Sequence, residues 1–270
     1  MILRIGYEIV FELPAPTPMV LILFVHPSLT PRLRQPERLS VEPEIAMEDY
    51  IDSFGNHCAR ILAPPGRLRL WYDNEIEDSG LPEPAYPYAR QHPIEELPSE
   101  TLQFLLASRY CEVDRLSEVA WSLFGQTSPG WARVQAVCDW VYAHVEFGYP
   151  YARATRTAYE VYEERKGVCR DFMHLAVTFC RCLGIPARYA TGYLGDIGVA
   201  PSKAPMDFSA FFEVYLEGQW HPFDARHNAR RIGRVLMARG RDAADVALTT
   251  SFGVADLKTF RVWTKAVSGA

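Results

Sequence analysis

The chain has 270 residues, 49% hydrophobic and 23% charged. That is the balance of a folded globular protein of one large domain or two ordinary ones, not of a small stapled module. The formal net charge of -5 argues against nucleic acid or an anionic membrane as a general partner. No apolar run approaches the roughly 20 residues of a membrane span. Residues 1–16 lack the apolar core and small-residue cleavage site of a signal peptide, so a cytoplasmic protein is expected.

The first third reads as strands. "RIGYEIVFEL" (4–13) partly alternates, "PMVLILFV" (18–25) is a continuous apolar run, and "RLRLWYDNEIE" (67–77) alternates again. Turn signals "SFGN" and "PPG" lie between them, which predicts an antiparallel β-sandwich. Residues 77–100 carry Pro82, Pro84, Pro87, Pro93 and Pro98 with no clear period and read as a linker. The expected division is therefore 1–97, a β-sandwich with linker, and 98–270, a core domain.

Helical spacing begins near residue 98. Ser99 is offered as an N-cap for a helix over 99–110. Further helices are expected over 112–125, over 129–149 with Val134, Val137, Val141 and Val145 on one face, and over 157–167, ending at Gly167. A helix opened by Cys169 carries the stripe Phe172, Ala176, Phe179 and Leu183 and stops at Gly184, with Pro186 beyond. Strands over 187–194, 207–216 and 219–225 follow, the last two joined by Glu217-Gly218. Helices feeding an antiparallel sheet make the class α+β.

Of six cysteines, at 58, 111, 138, 169, 180 and 182, none forms a C-x-x-C pair. A zinc knuckle and a disulfide framework both lack support. Five read as small buried apolar residues. Cys169 differs because it opens a helix. Unpaired N–H groups and the positive end of the helix dipole stabilise a thiolate, which predicts a thiol pKa below the free value of about 8.5. The same N–H groups suit an oxyanion.

"GVCRDFMHLAVTFCRCLGIPARYATGYL" followed by "DFSAFFEVYLEGQWHPFDARHN" resembles the catalytic core of the transglutaminase-like superfamily. The shared features are G-x-C at a helix start, a helix ending in "GIPAR", a strand ending in "GY", and a hairpin that matches the second half of the core, where the family pattern is roughly H-A-W-x-E-V-Y, then W, then F-D. The resemblance covers about residues 98–255. The β-rich first third is similar to the N-terminal domain of a bacterial subfamily that includes candidate cysteine proteases. The resemblance implies a papain-like Cys-His-Asp triad that forms a thioester with an amide substrate, resolved by water or an amine. On this chain the nucleophile falls on Cys169 and the orienting acid on Asp224. A peptide or protein substrate is implied.

The family's histidine slot holds Ser209, and a hydroxyl takes up no proton near neutral pH. His174 lies five residues after Cys169, about 140° around the helix, and faces away from the thiol. His221 is three residues from Asp224, on the opposite face of the strand. His227 follows Asp224 in "FDARHN" and reaches the thiol if the chain turns back there; the bland alternative is a loop histidine bonded to nearby backbone. Asp207, two residues before Ser209, could add a carboxylate or simply enter the strand. Three readings stay open: an acyl-transfer enzyme with a displaced base, a weakly reactive thiol held by the helix terminus alone, and a non-catalytic binding or scaffold protein that keeps the fold.

Residues 226–253 carry arginines at 226, 230, 231, 234, 239 and 241. They read either as structural ion pairs or as a basic rim for a carboxylate. Tyr149 and Tyr151 read as core or as groove lining. No nucleotide loop or metal-ligand spacing is present, so no cofactor is expected.

Overall fold

A computed structural model describes residues 1–201 and 205–267. The first third forms β1 (Ile2–Leu13), β2 (Thr17–Leu21), β3 (Ser40–Glu42), β4 (Met47–Ile51), β5 (His57–Ala63) and β6 (Gly66–Glu77). Alternation sets their faces. Leu3, Ile5, Tyr7, Ile9, Phe11 and Leu13 of β1 point into one apolar cluster with Leu68, Leu70 and Tyr72 of β6 and with Met19, Leu21, Ala59 and Ile61 of β2 and β5. The expected strand over 18–25 is regular only to Leu21. Residues 22–25 stay buried as irregular chain.

The helices are α1 (Ser99–Leu102), α2 (Val113–Phe124), α3 (Trp131–His144), α4 (Ala158–Glu164) and α5 (Cys169–Cys182). Short parallel strands β7 (Glu146–Phe147) and β8 (Lys166–Gly167) pair just before α5. The core sheet holds β9 (Ala187–Tyr193), β10 (Ser209–Leu216), β11 (Gln219–Phe223) and β12 (Val235–Gly240), in the order β11-β10-β9-β12. Helix α5 packs against α2, α3 and α4 on one side and β9 and β10 on the other, so it is buried nearly all round, with Asp171, His174, Thr178 and Arg181 among its buried side chains. The α+β class holds, with the sandwich before the helical core. No helix of the described residues is long and apolar enough to cross a membrane.

Three local expectations are corrected. The helix over 99–110 is a single α turn ending at Leu102, continued by a 3₁₀ turn to Leu105. Pro98, not Ser99, stands at its N-cap, and Ser108 and Cys111 then exchange backbone hydrogen bonds that close a turn. Helix α4 ends earlier than Gly167, because Arg165 takes the left-handed conformation (φ 57°) at its C-cap. Gly167 serves a different need: a Cβ there would lie 2.6 Å from Asp171 Cβ.

The strands after the core return to the sandwich. β13 (Thr249–Ser251) pairs with β2, and β14 (Asp256–Val267) pairs with β1 from Ile2↔Val267 to Glu12↔Asp256. The two sandwich sheets are β14-β1-β6-β3 and β13-β2-β5-β4. The expected division at 97/98 leaves these two strands with the core, whereas their hydrogen bonds are to sandwich strands. The sandwich core also takes in Tyr193, Phe208, Val235 and Met237 from the core sheet region, so the two halves share buried surface.

The stretch read as a linker is a strap pinned to the core. The Glu83 N–H donates to Arg231 O at 3.0 Å, the Trp131 N–H to Ala89 O at 3.0 Å, and Gln91 Nε2 to Leu183 O at 2.9 Å.

Candidate active site

Cys169 is the first residue of α5, and the entry to that helix is built by its third residue. Asp171 is fully buried, and its Oδ2 accepts the Val168 N–H at 2.9 Å. Arg156 lies 3.3 Å from the same oxygen and Arg170 3.2 Å from the other. An acid in the first turn satisfies an orphan N–H and suits the dipole. Gly167 is glycine because this carboxylate fills the space beneath it. The glycine of G-x-C therefore reflects packing. Gly192, in the "GY" of β9, is similar: a Cβ would sit 1.9 Å from Val235 O on β12.

Cys169 is half-buried, with the backbone N–H groups of Ala210 and Arg170 beside its sulfur. The lowered thiol pKa expected from the helix terminus does not appear; it is raised. Burial is the largest cause, and the facing Asp207 carboxylate adds to it. The two N–H groups and Arg226 oppose them without prevailing. Burial likewise raises the Asp207 carboxyl, against the Phe208 N–H it accepts at 2.7 Å and the nearby Arg226 charge.

Asp224 follows β11, and its side chain is 1% exposed. Its Oδ1 accepts the Arg226 and His227 N–H groups at 3.0 and 2.9 Å, and its carbonyl accepts that of Asn228 at 2.8 Å. These bonds turn the chain back and bring His227 Nδ1 to 2.8 Å from Asp224 Oδ2. Arg234 Nη2 lies 3.1 Å from the same oxygen, and Arg234 Nε meets Glu83 of the strap at 2.6 Å. Burial alone would raise the Asp224 pKa. The His227 hydrogen bond and the Arg234 charge outweigh it and hold the carboxyl well below the usual range.

Arg226 Nη1 is 3.0 Å from His227 Nε2, and its guanidinium stacks 3.8 Å over the Phe147 ring. Arginine only donates and a carboxylate only accepts. The neutral imidazole therefore carries its proton on Nδ1, toward Asp224, and Nε2 accepts from Arg226.

A cleft of about 170 Å³ brings Cys169, Ser209, Asp207, Arg226, His227 and Arg231 together, with Phe147 and Tyr149 on its wall. A second cleft of about 360 Å³ meets it at Cys169, Asp207 and Phe208 and is walled by Tyr110, Ala154, Ala210, Ala243 and Ala247. Asp224 lies behind the first cleft and touches it through His227. Ser209 is 8% exposed, and its Oγ has no hydrogen-bond partner among the described residues. His174 is fully buried, stacked on Tyr110 at 4.9 Å, and its Nε2 accepts the Ala243 N–H. His221 is packed between Tyr86 and Trp131. Neither lines the clefts. Three arginines make structural pairs, Arg234 with Glu83 and Asp224, Arg239 with Glu213 and Arg241 with Asp245, whereas Arg226 and Arg231 face the thiol cleft. Sequence reasoning misses Arg226 as the partner of His227, and Glu83 and Arg234 as supports of Asp224. The arginine cluster in 226–253 is the one signal that could have found two of these three.

The sequence profile described as the transglutaminase-like superfamily matches residues 119–225. The structure of a candidate cysteine protease from Cytophaga hutchinsonii is 30% identical with TM-score 0.85, covering all of this chain and 92% of that one. The chain belongs to the transglutaminase-like superfamily. Human kyphoscoliosis peptidase is 26% identical over 154 residues, 52% of this chain and 23% of that protein. An uncharacterised Mycobacterium leprae protein is 32% identical over 85 residues, 30% of each chain. The chain thus spans less than a third of these curated relatives. The superfamily match contains Cys169, Ser209 and Asp224 and stops at residue 225, two residues short of His227.

Proposed function

We propose that this superfamily member is a cysteine-dependent acyl-transfer enzyme acting on peptide or amide bonds, most simply a peptidase or amidase. Cys169 is the nucleophile, His227 the general base displaced from the Ser209 slot, and Asp224 its orienting acid. The observation that carries this reading is the 2.8 Å contact of His227 Nδ1 with Asp224, on a ring that lines the same cleft as Cys169. In the reaction His227 Nε2, once free of Arg226, takes the thiol proton as sulfur attacks the amide carbon. The Ala210 and Arg170 N–H groups support the oxyanion. The imidazolium then protonates the departing amine, and water or another amine opens the thioester. The six cysteines are all free, which supports a reducing compartment such as the cytoplasm.

One set of observations favours a second reading, a binding protein that keeps the fold: the raised thiol pKa, Arg226 on His227 Nε2, and serine in the histidine slot. One experiment separates the two. The protein and its Cys169→Ala variant are incubated with β-casein, and new N-termini and released ammonia are measured. Amine or ammonia release that needs Cys169, with an acyl adduct on Cys169 after acid quench, supports the enzyme. New N-termini indicate a peptidase, and ammonia an attack on side-chain amides. Equal signals from both proteins, with no adduct, would sink the enzyme reading on this substrate class.

A further inference from the structure

The cleft beside Cys169 holds more unused hydrogen-bond donors than its protein neighbours can satisfy. Arg231 is 5% exposed at its side chain. Its Nη2 donates to Gly195 O at 3.0 Å, but among the described residues its buried Nε has no hydrogen-bond partner. Ser209 Oγ, also buried, has none among them either. Arg226 has no ion-pair partner among the described residues; its guanidinium rests on Phe147 and spends one N–H on His227 Nε2. A buried donor left unpaired costs free energy; two of them, Arg231 Nε and Ser209 Oγ, line one cleft with the half-buried Arg226 guanidinium. Two acids share the wall: Asp207, near the Arg226 charge, gives one oxygen to the Phe208 N–H, and Asp196 lies 4.0 Å from Arg231, at the limit of an ion pair.

The donor set matches a planar, two-oxygen anion, which arginine forks bind in preference to other groups. About 170 Å³ is room for one small substituent, well below the roughly 300 Å³ at which pockets for drug-sized ligands begin. We propose that this cleft is a carboxylate subsite. A carboxylate entering beside Cys169 is held by Arg226, Arg231 and the Ser209 hydroxyl, and it draws the Arg226 guanidinium off His227 Nε2. The substrate class narrows to amides that carry a carboxylate on the group seated there. The release of His227 rests on the catalytic reading above; the subsite itself does not.

Alkylation of Cys169 by iodoacetate and by iodoacetamide, followed by peptide mass spectrometry at neutral pH and low salt, tests it. The two reagents differ by the carboxylate. The reference is their rate ratio at the same cysteine in the urea-unfolded chain. The folded chain should favour iodoacetate by roughly tenfold over that reference, the scale of one charged hydrogen bond. Arg226→Gln should return the ratio most of the way to the reference, and Arg226→Lys only part of the way. A folded ratio equal to the reference, a ratio that Arg226→Gln does not move, or a thiol inert to both reagents overturns the proposal. Competition then locates the carboxylate. Acetylglycine protecting Cys169 assigns a chain-terminal carboxylate, acetylglutamate α-amide an acidic side chain, and protection by neither at millimolar concentration overturns the subsite. None of these measurements reads turnover, so an inactive protein with the subsite and an active one without it give different results.

Discussion

Asp224 Oδ2 receives His227 Nδ1 at 2.8 Å and Arg234 Nη2 at 3.1 Å, so one buried oxygen is shared by an imidazole and a guanidinium. The two contacts separate by mutation. His227→Gln removes the proposed base but leaves the Asp224–Arg234–Glu83 chain. It should lower kcat on an amide substrate by about 10²–10⁴ with little change in urea midpoint. Asp224→Asn breaks a buried pair and should also cost about 3–5 kcal/mol of stability. Kinetics and urea melts on both variants check this.

Acid should weaken the protein in two stages. His174 is fully buried, and burial lowers its pKa well below the usual value, so the folded state resists its protonation. Stability is therefore lost as pH falls through the unfolded histidine value of about 6.5. Asp224 is held low in the fold. Its contribution is complete above the unfolded aspartate value of about 3.9 and declines as pH falls below it. Urea midpoints at pH 7.5, 5 and 3 should drop at both steps. His174→Gln should flatten only the first.

The Cys169 thiol should titrate above the free value of about 8.5, because burial and Asp207 outweigh its N–H donors. Iodoacetamide rates against pH give the midpoint. Asp207→Asn removes a facing negative charge and should move the profile to lower pH. Arg226→Gln should move it higher. A profile unmoved by Asp207→Asn contradicts the placement of that carboxylate.

Gly167→Ala should destabilise the entry to α5, since a Cβ would meet Asp171 at 2.6 Å with Asp171 itself fixed by Val168 and Arg156. Overpacking of this kind costs about 1–3 kcal/mol. The thermal midpoint of the variant checks it, and the alkylation rate at Cys169 should change with it because the thiol sits at that entry.

Ser209→His, made in the His227→Gln background, should restore part of the lost amide turnover by returning an imidazole to the cleft that Cys169 lines. Turnover unchanged from His227→Gln alone would mean that the slot no longer addresses the thiol.

Much of this is legible in the residues. Phe172, Ala176, Phe179 and Leu183 repeat at helical spacing and are buried, and Glu217 and Gly218 both take positive φ in the two-residue turn between β10 and β11. The vacancy at Ser209 is a matter of one letter. His227 is legible only as a possibility, because it depends on the chain turning at Asp224, and that turn is made by backbone N–H groups no composition reports. The thiol pKa goes the other way from the helix-dipole argument because burial, set by β10 and by Asp207 from a distant segment, is the larger effect. The fate of residues 249–267 is not local at all: β14 is not among the expected strands, and its partner β1 lies more than 240 positions earlier.

That last pairing bears on how the chain is made. During synthesis β1 emerges well before β14, so one edge of β1 waits for a partner still to be translated. At about 5–20 residues per second that edge stays open for on the order of ten seconds or more. A 12-residue strand with an apolar face and free N–H and C=O groups is a template for another nascent chain. The sandwich can be finished only after the helical core has been threaded out, so holdase chaperones have their longest opportunity at β1.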